Sequence, residues 1–400
     1  MSSMSLQDPF HALAQLHEAL QPVECELLPL DAAQGRILAA AFKADRPSPP
    51  LDVSAMDGYA LRLDDLAAGP LTIAGEASMG RPVQALPAGQ AMRIMTGAPV
   101  PVGAEAVVPR EKTQLQANRL TLTADTPPPK PFANIRRAGE NVGANEEIVG
   151  AGNALTPALA GAAAAFGHTH LTCRRAVRVS LLITGDELAA GEPAEPLPPH
   201  RIRDSNGPLL TNLVHSLPWA TLHTRQHVTD DLPQLAATLA SALAGSDTVW
   251  LTGGVSVGDH DHVRAAVEAV GGRVVFHRLA IRPGKPILGA IGPAGQQILG
   301  FPGNPVAVAC CAQLFGLPLL RRQAGHHVTM PRNPLAILRG PQPRAIPLWN
   351  FPLVRHSSPG EVELVPSRGS GDLVALSRSD GFLILPPNSD GMTPRAIQLW

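Results

Sequence analysis

Cysteine is scarce, and the little there is does not cluster. The four cysteines are Cys25, Cys173, Cys310 and Cys311, and no two are spaced as CxxC. That excludes a zinc ribbon or a thioredoxin-type motif. Cys310 and Cys311 lie in an apolar run and read as buried free thiols, since an unreactive cysteine behaves as a small hydrophobe. Charge is also thin. Charged residues make up 16% of the chain, against about 25% in an average soluble protein. Only four lysines occur, Lys43, Lys112, Lys130 and Lys285, and the net charge is −1. The basic surplus of a generic nucleic-acid binder is missing. A long apolar run is missing too. Residues 286–320 carry no charge, but Pro293, Pro302, Asn304, Pro305 and Pro318 interrupt them. A spanning helix needs about 20 consecutive apolar residues. The opening MSSMSLQDPF has no basic stretch followed by an apolar core, so no secretory signal is expected. The expectation is a soluble, cytoplasmic protein with neither nucleic acid nor membrane as partner.

What the chain has in excess is proline and glycine, 41 and 37 residues. They are dispersed without a tandem period, which excludes collagen and suits structured turns between short elements. Apolar residues at 44% of 400 exclude a disordered chain and allow about two to three domains with real cores.

Several textures follow one another. Leu6 to Leu20 has Phe10, Leu13, Leu16 and Leu20 at helical spacing, stopped by Pro22. Gly35 to Phe42 reads as a second short helix or a turn. Residues 45–147 are short alternating runs between turn residues, with strands expected at 71–74, 91–95, 106–109 and 120–122. Leu155 to Phe166 is helical again, with Thr156 as cap, Pro157 at the first position and Gly167 at the stop. If it packs with the first helix, residues 1–44 and 148–176 form a helical frame into which a β-rich module is inserted. Residues 177–325 then alternate strand and helix, which predicts an α/β domain with a mostly parallel sheet. A helix from Pro305 to Phe315 is expected there, capped by Asn304. Residues 326–400 turn β-rich again. The expected fold class is multidomain, α/β and β.

Ligand loops are expected at the C-terminal ends of the α/β strands. ITGDEL offers Asp186 and Glu187, either as ligands for a hard cation or as the acidic first turn of a helix. In LTGGVSVGDHDH, Gly253, Gly254 and Gly258 let backbone approach a phosphate, although neither the Walker nor the dinucleotide pattern is matched. Its Asp259, His260, Asp261 and His262 fit a metal or, more simply, a helix cap. Arg278, Arg282 and Lys285 around IRPGKP make a cationic edge suited to an oxyanion, or else a solvated turn. In FPGNPV, Asn304 as N-cap followed by Pro305 leaves the first-turn backbone N–H groups of a helix free for an anion, or simply makes a well-capped helix. Within the β module, Asp57 adjoins a turn, Thr96 and Gly97 end a strand, and Arg136, Arg137 and Glu140 cluster. No nucleophile–base pair accompanies them. The set suits an anionic or phosphorylated ligand with a metal rather than acyl transfer.

SAMDGYA, RIMTGAPVP, NIRRAGEN, TGDEL, DSN, GGVSVGDHD, IRPGKP and FPGNPV occur in this order, and their succession resembles the MoeA and gephyrin E-domain family of molybdopterin molybdenumtransferases. The resemblance implies a helical frame, an inserted β domain, a MogA-like α/β domain and a C-terminal barrel-like domain. It implies an elongated homodimer in which each active cleft lies between one subunit's α/β domain and the other's inserted domain. It also implies Mg²⁺, adenylylated molybdopterin and molybdate as substrates, AMP as a product, and a MogA-type adenylyltransferase as a partner. Asp186, Glu187 and Asp261 then resemble the acidic set near Mg²⁺, with Asp230 among the acidic catalytic residues. Gly253, Gly254 and Ser256 resemble the phosphate loop, and Asp204, Ser205 and Asn206 the nucleotide-side loop. Pro302, Gly303, Asn304 and Pro305 line the same cleft. Arg278, Arg282, Lys285 and Ser370 resemble the anion-holding side, and Asp57, Thr96 and Arg136 come from the inserted domain.

The chain departs from the family pattern in places. Arg278 and Arg282 replace lysines, Asn141 replaces an aspartate, and IPLWNFP replaces an arginine-bearing segment, with Phe351 near an arginine's position. A diverged, non-catalytic molybdopterin-binding or scaffold homologue is therefore the alternative. Adenylyl transfer to molybdopterin is a weaker one, disfavoured by the TGGVSVG loop.

Overall fold

The computed structural model describes residues 6–189, 197–255, 262–330, 332–389 and 394–400. The chain forms two compact units. One comprises Met1–Ala40, Ala151–Ala160 and His170–Trp400, and the other Ala41–Gly150 and Gly161–Thr169.

The first unit is built on a six-stranded sheet in the order Ala220–Val228, Val177–Thr184, Thr248–Thr252, Gln297–Phe301, Leu288–Ile291, Arg273–His277. The first four strands are parallel, and Leu288–Ile291 runs antiparallel to both of its neighbours. This is the mostly parallel sheet that the sequence alternation predicts. Thr248–Thr252 and Gln297–Phe301 are buried at every residue, as strands covered on both faces must be. Side chains alternate between two cores. Leu181, Ile183, Trp250, Leu299 and Phe301 enter one, with Leu13 and Leu16 of the helix Pro9–Ala19 and Leu210 and Val214 of the helix Asn206–His215. Leu182, Val249, Leu251 and Ile298 enter the other, with Leu235, Leu239 and Leu243 of Leu232–Gly245 and Val263 and Val267 of His262–Ala269. The N-terminal helix thus packs on the sheet.

A closed five-stranded barrel follows, in the order Leu335–Arg339, Glu361–Leu364, Leu353–Ser358, Gly381–Leu383, Arg395–Leu399. Its interior holds Leu338, Val354, Val362, Leu383 and Ile397. The second unit contains a six-stranded, largely antiparallel sheet in the order Ala106–Pro109, Gly58–Leu61, Gln90–Ile94, Leu71–Ala77, Arg119–Leu122, Thr113–Gln116. The short strand Val53–Ser54 pairs with Ile135–Arg136.

Local expectations divide. Thr156 Oγ1 accepts from Leu159 N at 3.2 Å, and Asp231 Oδ1 from Gln234 N at 2.9 Å, so both caps form as their residue types dictate. Gly35 to Phe42 is not helical. It runs as irregular chain with bridges from Ile37 to Ala154 and from Leu38 to Cys173, ending in the strand Phe42–Lys43. Tertiary pairing beside the strand pair Cys25–Pro29 and His170–Arg174 overrides the local pattern. The helix expected from Pro305 to Phe315 is α-helical only over Pro305–Cys311, passes through a π turn at Ala312–Gly316 and resumes over Leu317–Gln323. The π turn widens the helix just before Pro318, which has no N–H to donate. Asn304 occupies the cap position, yet its side chain makes no capping bond. Cys173, Cys310 and Cys311 are buried free thiols, and burial pushes all three up from the ordinary thiol range.

At the N-terminal end of Thr248–Thr252, Asp247 accepts from both terminal nitrogens of Arg175 at 2.6 and 2.8 Å and from Arg178 N at 2.8 Å. Burial alone raises the Asp247 pKa, but hydrogen bonds from Arg175 and Arg178 outweigh it and the net direction is down. A carboxylate depressed on folding stabilises above its unfolded pKa, and that stabilisation is lost as pH falls through the folded value. Asp247→Asn should therefore cost about 2–4 kcal/mol at neutral pH. The gap to wild type should close as pH drops below about 4, as followed by chemical denaturation across pH.

Candidate functional site

The loops singled out in the α/β domain collect at the C-terminal edge of its parallel strands, where the backbone ladders end. After Val177–Thr184, Thr184 Oγ1 donates to Thr252 O at 3.0 Å, tying the TGDEL loop to the TGG loop. Gly253 N donates to Phe301 O at 3.1 Å, tying TGG to FPGNP. Asn206 Nδ2 donates to Gly303 O at 2.8 Å, adding the DSN loop. Val306 N donates to Ser370 O at 3.0 Å. That last bond explains the idle Asn304 side chain: the barrel domain supplies the acceptor that an Asn304 cap would supply.

Gly253 is required by geometry. Its φ is +85°, and a Cβ there would stand 2.7 Å from Thr184 Oγ1 and 2.8 Å from Thr184 O. Gly254 also has a positive φ, +63°. Asp204 is held twice, by Gly207 N on Oδ1 at 2.7 Å and by Arg225 on Oδ2 at 2.5 Å. It, rather than Ser205, receives the first-turn amide of the helix Asn206–His215; Ser205 makes no side-chain capping bond.

The acidic residues are placed close by. Asp186 N donates to Asp230 Oδ2 at 3.4 Å, and Asp230 N to Asp186 Oδ1 at 3.2 Å. Glu187 folds back over Gly185, where a Cβ would lie 2.7 Å from its Oε2. Among the described residues no cluster of three or more metal-ligating side chains forms. Ser256 and Asp261, with Gly258, Asp259 and His260, lie outside the described residues.

A cleft of about 810 Å³ opens between the α/β domain and the barrel, both within the first unit. Arg282, Lys285, Pro302, Asn304 and Ser370 line it, as do Arg344, Asn350 and Ser367. The parallel pairing of Ile281–Arg282 with Trp349–Asn350 joins its two walls, with Phe351 N donating to Arg282 O at 2.8 Å. Arg278, with φ +66°, is not among the lining residues. Phe351 is 2% exposed and packs edge-on against Phe382, ring centres 5.8 Å apart, so its ring is committed to the core. Arg344 escaped the sequence reading. It stands in PQPRAIP, where neither periodicity nor a glycine turn marks it. Arg225 was equally hidden, on an edge strand whose partner is set by the fold.

In the second unit, Asp57 Oδ1 accepts from Thr96 N at 2.7 Å and Thr96 Oγ1 at 2.8 Å. These two bonds hold the Asp57 carboxyl below the usual carboxylate range. Gly58 must follow, because a Cβ there would fall 2.0 Å from Val108 O. Arg136 lies beside Val53 in the short ladder that leads to Asp57, so the structure brings these three predicted residues onto neighbouring segments. Arg136 pairs with Glu140 and donates to Asn141 Oδ1 at 2.8 Å. The Arg136–Glu140 bond keeps the Glu140 pKa low.

Fold and loops together define an α/β protein that gathers its glycine- and proline-rich loops at one end of its parallel strands, beside a barrel domain. Residues 8–167 match the family model described as "MoeA N-terminal region (domain I and II)", and residues 180–322 the one described as "Probable molybdopterin binding domain". The chain is 34% identical to the molybdopterin molybdenumtransferase of Synechococcus elongatus, over 92% of each chain. It is 33% identical to that of Haemophilus influenzae, over 91% of this chain and 90% of the relative. The solved structure of the molybdopterin biosynthesis MoeA protein from Pyrococcus horikoshii OT3 superimposes with a TM-score of 0.82 at 26% identity, covering 99% of this chain and 100% of that one. The chain belongs to the molybdopterin molybdenumtransferase (MoeA) family.

Gly253→Ala tests the loop geometry directly. It should destabilise the protein by about 1–3 kcal/mol through the strained φ and the Thr184 overlap, read as a lower midpoint in denaturant.

Proposed function

We propose that the protein is a molybdopterin molybdenumtransferase, which places molybdenum from molybdate on adenylylated molybdopterin and releases AMP. The observation that carries this reading is the junction of two chemistries in one unit. Phosphate-suited loops at residues 184–187, 204–206, 253–254 and 302–305 adjoin a cleft whose described lining has three cationic side chains and no carboxylate. The glycine loop and the Asn206–Gly303 contact suit the nucleotide and pyrophosphate, since exposed backbone N–H groups stabilise phosphate oxygens. Arg282, Lys285 and Ser370 suit the oxyanion.

Mg²⁺ fits the residues present. It is usually held by one or two carboxylates together with substrate phosphates. In Asp186 and Asp230, one carboxylate oxygen each is engaged by the other residue's amide, and the second has no partner among the described residues. These two would hold the ion, which would neutralise charge on the pyrophosphate; Glu187 and Asp261 are assigned to the same acidic set by resemblance. The protein's own part is to orient and to exclude water: Thr184 and Gly253 fix the loop, Arg225 fixes Asp204, and Phe351 seals the cleft floor. Asp57, Thr96 and Arg136 are assigned to the same reaction by resemblance. We further propose that the working form is a homodimer and that a MogA-type adenylyltransferase supplies its substrate. Among the described residues no helix is long and apolar enough to cross a membrane.

AMP release from adenylylated molybdopterin should require both molybdate and Mg²⁺. Asn141 already accepts from Arg136, so Asn141→Asp keeps the acceptor and adds charge. It should change the rate by less than about tenfold. Release by the aspartate variant alone, with none from the native chain, would instead favour a non-catalytic binding homologue.

A further inference from the structure

Phe132 stands apart from the other aromatic residues of the chain. It is 52% exposed, more than any other aromatic side chain among the described residues. Phe10 and Trp400, the next most exposed, lie against the rings of Trp349 and Phe382. Phe132 has no such ring partner among the described residues. One face of its ring is covered by the Arg137 guanidinium, 4.0 Å from the ring centre. Arg137 is held in turn by Asp52, with Nε 3.1 Å from Oδ2. The exposure of Phe132 therefore belongs to the ring edge and the opposite face.

Its backbone is equally unusual. The φ of Phe132 is +61°, in the left-handed region, which crowds a bulky side chain and is the habit of glycine and asparagine. Neighbouring bonds impose the conformation. Phe132 N donates to Glu105 O at 2.7 Å, Ile135 N to Phe132 O at 3.2 Å, and Val107 N to Ala133 O at 2.9 Å. A glycine would meet this demand without steric cost. Phenylalanine meets it at a cost that burial does not offset, because the ring stays in solvent. Strain held by a well-bonded loop, with no packing gain, is where functional positions are found. All of these residues belong to the second unit.

We propose that Phe132, braced by Arg137, is a specificity-determining residue on which a planar heteroaromatic ring of the ligand stacks. A ring held flat with one face open takes a second ring by offset stacking, and the guanidinium behind it fixes its orientation. The identity of the ring rests on the reaction proposed above. Adenylylated molybdopterin carries two heteroaromatic rings, adenine and pterin. The loops assigned to the nucleotide belong to the first unit, so the platform of the second unit is assigned the pterin.

The experiment uses the full-length protein as wild type, Phe132→Gly and Phe132→Tyr. Neopterin, a simple pterin, and AMP are the binding probes, titrated calorimetrically. Phe132→Gly should weaken neopterin binding about tenfold or more. It should raise the KM for adenylylated molybdopterin by a similar factor and leave kcat within about twofold. Its midpoint in denaturant should equal or exceed that of wild type, since glycine takes this φ freely. Phe132→Tyr should bind neopterin as wild type does. AMP affinity should stay within about twofold in both variants. No neopterin binding by wild type, binding unchanged in Phe132→Gly, or an equal loss for AMP would overturn the assignment. A midpoint lowered together with the binding loss would assign the ring to packing and overturn it as well. Phe132-dependent neopterin binding with no AMP release by wild type under any condition would uphold it and sink the transferase reading. AMP release by wild type with an unaltered Phe132→Gly would do the reverse.

Discussion

The burial of the strands Thr248–Thr252 and Gln297–Phe301 on both faces is the constraint from which the site follows. A strand covered by helices on both sides cannot expose polar side chains along its length. Its chemistry must therefore be deferred to its ends. Thr252, Gly253, Phe301 and Gly303 stand where the ladders stop, and the bonds from Thr184 to Thr252, Gly253 to Phe301 and Asn206 to Gly303 stitch the loops into one surface. The opposite end has the other task. Asp247, gripped by Arg175 and Arg178, faces no ligand loop and serves stability.

The barrel domain completes this surface through backbone as much as through side chains. Ser370 O takes the first-turn amide of the helix that begins at Pro305, and the Trp349–Asn350 strand extends the Ile281–Arg282 segment. The cleft walls are thus held by main-chain bonds, which do not depend on the charge of the lining. A cluster of cations can then be kept in the described lining without carboxylates beside it. Phe351, which lines this cleft, is packed edge-on against Phe382 and fixed by the core behind it.

Much of this was legible locally. Thr156 announces its cap because its role depends on its own backbone and the next few residues. The parallel sheet was legible because alternating strands and helices leave few alternatives. Asn304 misled for a physical reason: a residue with the right type for a cap lost its task to an acceptor more than sixty positions away, at Ser370. The segment 35–42 misled likewise, since its conformation is set by bridges to Ala154 and Cys173.

By itself, the sequence determined the family through the order of its motifs, the α/β alternation and the glycines that their turns require. These are properties of short stretches and of their succession. Only the tertiary structure decided that Arg344 shares a cleft with Arg282 and Lys285, that Arg278 does not, and that Asp204 belongs to Arg225. Those facts depend on which strand ends lie side by side, a non-local outcome of packing both faces of one sheet and closing a barrel against its edge.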